Sequence, residues 1–74
     1  MKEKYRTKLN NIINETKKLI NQNGIDKQMI QYQRNKYFDV TDKIAELAIF
    51  ETVDFMELIS LFDMKILNHI ITIK

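Results

Sequence analysis

The chain contains no proline and a single glycine, Gly24, in 74 residues. Proline and glycine are the residues a helix interior tolerates least, at about 3 and about 1 kcal/mol relative to alanine. A chain with one such residue has one strong internal stop and otherwise runs in long helices. The stop lies in Asn21-Gln22-Asn23-Gly24, where Asn and Gly both accept left-handed backbone angles. A first helix is expected from about Lys2 to Gln22. Its seam reads Tyr5, Leu9, Ile12, Thr16, Leu19, with spacings that alternate four and three, and Ile13 and Ile20 flank it. Lys8, Asn11, Glu15 and Lys18 take the opposite face.

A second helix starts at once. Asp26 is placed to cap it by accepting backbone N–H bonds. Ile25 and Ile30 occupy the two positions of a hydrophobic staple. The helix is expected to reach at least Phe38, with Ile30, Tyr37, Val40, Ile44 and Leu47 on one side. A connection of about four residues favours an antiparallel pair. Asp39-Val40-Thr41-Asp42 contains cap-like residues that suggest a break or kink. Asp54 with Glu57 makes an acidic form of the capping-box pattern, so a third helix is placed from about Asp54 to Asn68. One long helix through Thr52 and Val53 is the alternative. The β-branched end, His69-Ile70-Ile71-Thr72-Ile73, is expected to fray or to pair as an edge strand. The fold class is therefore all-α. It is a bundle of two to three helices in one domain, residues 1–74, with a hairpin hinged near Gly24 and a C-terminal apolar helix.

A chain this short buries only about 60% of its extended surface. Small scaffolds compensate with disulfides, a metal or a partner subunit. With no cysteine and one histidine, His69, disulfides, thiolate metal sites and His-rich sites are excluded, which leaves self-association. No cofactor is expected. Absence of cysteine fits a reducing cytosol, and the abundance of Ile, Lys and Asn fits an AT-rich genome such as that of a bacterium or a mobile element. No apolar stretch long enough for a signal peptide follows the charged start, and Glu51, Asp54, Glu57, Asp63 and Lys65 interrupt the later apolar runs, so no membrane span is expected. Charge is uneven. Residues 1–37 carry nine Lys/Arg against three Asp/Glu, and residues 38–74 carry three against seven. The halves attract each other, within one chain or between two.

Catalytic chemistry finds little to work with. His69 lies among apolar residues with Ser60 on a different helical face, so it is read as structural or exposed. Asp39/Asp42, Glu51/Asp54 and Asp54/Glu57 are pairs three apart that could share a cation, and helix capping accounts for them. Lys27, Arg34 and Lys36, with Gln31, Asn35 and Tyr32 nearby, form a candidate surface for nucleic-acid phosphates. A degenerate helix-turn-helix also runs through Leu47, Ala48, Val53, Leu58 and Leu61. Its recognition helix would present Phe55, Met56, Glu57, Ile59 and Ser60, with no Arg or Lys for base edges.

From Ala45 to Ile73, apolar residues crowd more than one face of any helix. Several of Phe50, Phe55, Met56, Ile59, Phe62, Met64 and Leu67 must fall outside a single stripe. Met and Phe are common on adaptable helix-binding surfaces. Phe55, Met56, Ile59, Phe62 and Leu67 are therefore the candidate contacts for another protein or a second copy, and the leading expectation is a non-enzymatic cytoplasmic regulator or adaptor that self-associates.

Two resemblances give further alternatives. Asn35-Lys36-Tyr37-Phe38-Asp39 agrees at its apolar position and at Asp39 with the Ser-Gln-Glu-Leu-Asp motif early in a second helix. In this the hairpin resembles the small aspartyl-phosphate phosphatases that act on sporulation response regulators. Lys27-Gln28 followed by Tyr32-Gln33-Arg34 looks like the start of the second helix in small co-chaperones for type III secretion needle subunits. The resemblances imply a helical hairpin with phosphatase-like or co-chaperone activity.

Overall fold

The computed structural model describes residues 3–46 and 55–72. They form three helices packed against one another, α1 (Glu3–Asn23), α2 (Lys27–Glu46) and α3 (Phe55–Thr72).

Local chemistry accounts for the first turn. Gly24 adopts φ +81° and its N–H donates to the Ile20 carbonyl at 2.9 Å, the single closing bond of a left-handed helix cap. Asp26 then opens α2, its Oδ1 accepting from the Gln28 N–H at 2.9 Å and the Met29 N–H at 3.4 Å. The connection is therefore Gly24 to Asp26, one residue shorter than expected. Of the staple pair, Ile30 is half-buried but Ile25 is 61% exposed.

The hairpin is antiparallel, as the pairing of Thr16 with Gln33 and of Glu15 with Lys36 shows. α3 runs alongside α1 and against α2. Asn21 and His69 meet at 2.9 Å near the C-terminal ends of α1 and α3, while Phe62 and Asp63 face Tyr37 and Arg34 in mid-α2. The core comprises Tyr5, Leu9, Ile13 and Ile20 from α1, Tyr37 and Ile44 from α2, and Leu58, Phe62 and Ile66 from α3. At ~25 cal/mol per Å² of apolar surface removed from water, these side chains supply most of the stabilisation.

Three sequence expectations shift. The buried line of α1 is Tyr5, Leu9, Ile13, Thr16, Ile20, while Ile12 and Leu19 are half-buried. A straight helix repeats every 3.6 residues, not 3.5, and α1 faces two neighbours, so its buried sector is wide and turns toward Ile13 and Ile20. The helix α2 does not break at Asp39–Asp42. Thr41 is fully buried and donates its hydroxyl to the Phe38 carbonyl at 2.7 Å, so it is satisfied without ending the helix. The last residues of α3 are helical through Thr72, and no edge strand forms there. Ile66 and Ile70 continue the inward line, and their packing outweighs β-branched propensity. Because α2 and α3 pack side by side, they are not one continuous helix. Leu47, Ala48, Phe50, Glu51, Thr52, Val53 and Asp54, with the expectations that rest on them, lie outside the described residues.

A polar layer sits inside this core. Gln33 is buried and donates from Nε2 to Glu15 Oε1 at 3.0 Å and to Thr16 Oγ1 at 3.3 Å. Thr16 donates in turn to the Ile12 carbonyl at 2.7 Å. The bonds from Lys36 and Gln33 hold the Glu15 carboxyl below its ordinary pKa. Tyr37 is different: its buried hydroxyl has no hydrogen-bond partner among the described residues, and burial pushes the phenol up to about 12.

Replacing Gly24 by Ala is expected to cost about 1–2 kcal/mol in urea unfolding, the penalty of a left-handed L-residue. Beyond its chain neighbours, no atom of the described residues lies within 4 Å of the new Cβ, so steric crowding adds nothing to it. Tyr37 makes a pH prediction. Its folded pKa is raised, so the unfolded chain loses the proton first. Stability from this group is full below pH ~10 and drains away as pH rises toward about 12. Tyr37→Phe is expected to flatten that alkaline loss and to be no less stable at neutral pH, as read by thermal unfolding across the range.

Candidate functional site

Two apolar lines run along α3. The inner line is Leu58, Phe62, Ile66 and Ile70, four apart, and it faces the hairpin. Phe62 is 1% exposed, its ring 5.0 Å from that of Tyr37 and tilted by 48°. The outer line is Met56, Ser60, Met64, Leu67 and Ile71, with spacings of four, four, three and four. Met56 is 66% exposed, Met64 60%, and Leu67 and Ile71 each 56%, while Leu61 flanks them at 39%. At 1.5 Å per residue the line extends for roughly 20 Å. Scattered apolar residues on a surface are ordinary, but these large side chains line up along one face of one helix.

The charges around this row are few. Asp63 borders it and is held by Arg34 through two hydrogen bonds, Nε to Oδ1 at 2.9 Å and Nη2 to Oδ2 at 3.2 Å. The same guanidinium lies 4.7 Å from the centre of the Phe38 ring. The Asp63 bond raises the Arg34 pKa further. This pair joins the basic half of the chain to the acidic half. Glu57 stands in the first turn of α3, beside the row.

The structure sorts the expected contacts. Met56 and Leu67 lie together on the outer row. Ile59 is half-buried at its margin. Phe62 must be withdrawn as a partner contact, because it is a core side chain whose ring is already spent on Tyr37. The side chain of Phe55 lies outside the described residues. Met64, Ile71 and the flanking Leu61 belong to the face and were missing from the expected contacts. The signal for them was the second helical period, one residue out of step with the inner line at its C-terminal end.

The candidate nucleic-acid residues do not converge. Arg34 reaches toward α3, whereas Lys36 projects toward α1 and binds Glu15 at 3.1 Å, with the Tyr32 ring 5.6 Å away. Lys27 is exposed at the start of α2. Leu61, a core position in the helix-turn-helix reading, is on the surface. Asp39 and Asp42 lie on exposed mid-helix positions, so helix capping, the explanation expected for them, does not apply. Asp39 lines a shallow groove with Tyr5, Lys8, Val40 and Lys43. His69 is half-buried against Asn21, remote from Ser60 on the outer face.

No helix among the described residues is long and apolar enough to cross a membrane, and no group of three metal-ligating side chains occurs among them. No protein-family model matches the chain, and no curated protein or solved structure matches it.

The two lines of α3 should respond differently to substitution. Phe62→Ala is expected to cost about 3–5 kcal/mol, enough to unfold much of a small domain. Leu67→Asp is expected to change the stability of the monomer by no more than about 0.5 kcal/mol. Urea unfolding at low protein concentration, where association contributes nothing, reads both.

Proposed function

We propose that this chain is a small non-enzymatic adaptor or regulator that works by binding protein through the outer face of α3. One observation carries the reading: α3 commits one apolar line to its own core and leaves a second, of comparable length, in solvent. A helix needs one such line to fold, and the large apolar side chains of the second stay exposed. A row of large side chains at helical spacing suits a helix or groove on another polypeptide. The acidic charges beside the row, the paired Asp63 and Glu57, do not attract phosphate, and Lys65 is the one lysine of α3. The nucleic-acid reading draws less support, since Arg34 and Lys36 diverge and each holds a carboxylate. The phosphatase-like and co-chaperone readings rest on a few helix residues in α2 and do not involve this face.

A photo-crosslinking residue placed at position 67 in living cells, with a control at 18 on α1, tests the proposal. Adducts of discrete mass are expected from position 67, with the chain itself or with another polypeptide. Equal adducts from both positions, or none from 67, would overturn it.

A further inference from the structure

Resting on that reading, we infer that the occupant of the α3 face is a second copy of this chain, docked antiparallel about a two-fold axis at Met64. Self-complementarity of the row supports this. Met56 and Ile71 lie eight and seven residues from Met64, and Ser60 and Leu67 lie four and three residues from it. An antiparallel partner therefore sets Met56 against Ile71, Met64 against Met64, and Ser60 against Leu67. The last pairing matters most. Ser60 is the one small residue in the row, and antiparallel docking gives each Leu67 the space beside it. Parallel docking would oppose Ser60 to Ser60 and leave a gap, against the close packing that interfaces share with interiors.

Area and charge point the same way. The largest apolar patch on a monomer typically covers roughly 300–600 Å². Two such faces come near the ~1,000 Å² that a specific interface must clear, which suits a reversible dimer. Antiparallel helices also oppose their dipoles favourably. Asp63 flanks the axis in both copies, and each carboxylate arrives already neutralised by its own Arg34 at 2.9 Å. A lipid surface is the poorer occupant, because interfacial helices carry Lys and Arg along the borders of the apolar face. Here Glu57 and Asp63 flank the row, and Lys65 is the one lysine of α3.

The chain has no cysteine, so single cysteines can be introduced without a competing thiol. The purified full chain carrying Met64→Cys, Met56→Cys or Ile71→Cys would be treated with a short thiol-specific crosslinker, with sedimentation in parallel. Crosslinked dimer is expected from Met64→Cys alone, and from a mixture of Met56→Cys with Ile71→Cys, but from neither of those two alone. Leu67→Asp should raise the dimer dissociation constant at least tenfold while circular dichroism stays unchanged. Crosslinking by Met56→Cys alone would mean a parallel dimer and overturn the geometry. A dimer by sedimentation that none of the three cysteines traps would place the interface on another face. A monomer at every concentration would remove the second copy as occupant. Adducts from position 67 to a different protein would then leave the wider binding reading standing, and association with lipid vesicles instead of dimerisation would remove both.

Discussion

Phe62 seats its ring against Tyr37, and most of what distinguishes this molecule follows from that contact. The hairpin of α1 and α2 presents a trough, and Phe62 is the largest of the described side chains that α3 puts into it. Once Phe62 points inward, the rotation of α3 is set. Leu58, Ile66 and Ile70 follow it at four-residue intervals, and Met64, Leu67 and Ile71 are carried to the far side. The inner and outer lines are consequences of one packing choice. The contact also helps explain why the Tyr37 hydroxyl has no partner among the described residues: its ring fills the space that Phe62 needs covered, and the oxygen comes with it.

The polar layer acts on a different link, the pairing of α1 with α2. Apolar side chains alone would tolerate slippage of one helix along the other, since one Ile resembles the next. Gln33 is selective. It is buried where Glu15 and Thr16 can accept its amide protons, and a shift of one turn would leave it without them. A buried amide without a partner costs about 1–3 kcal/mol. Lys36 reinforces the same register from the edge of the layer through Glu15. That exposed pair contributes little energy by itself. Its value lies in where it holds the Glu15 carboxylate.

Much of the fold was legible because it rests on local chemistry. Gly24 and Asp26 act on the four or five residues beside them, and no distant contact is needed for one to end a helix and the other to begin one. Thr41 shows the limit of such reasoning. A threonine between two aspartates reads as a cap, but its hydroxyl is equally content with a carbonyl of its own helix once its methyl is buried. His69 to Thr72 show another limit. Their β-branched character argues for a strand in isolation, and Ile70 is instead held in the helix by the core. For the candidate face the position is mixed. Met56, Met64 and Leu67 were recognisable as surplus. Phe62 was assigned to the surface, Met64 was left out of the contacts and Ile71 was overlooked, because both lines of α3 are apolar and either one could have faced inward.

By itself, then, the sequence determined the class of structure, the place of the first turn and the excess of apolar residues after position 45. Those properties depend on backbone preference and on composition, which are readable one segment at a time. Only the tertiary structure decided which side of α3 is core and which is surface, where the buried line of α1 runs, and that α2 passes through its cap-like residues unbroken. Burial is a joint property of three helices, and no single helix carries the information about how its neighbours will meet it.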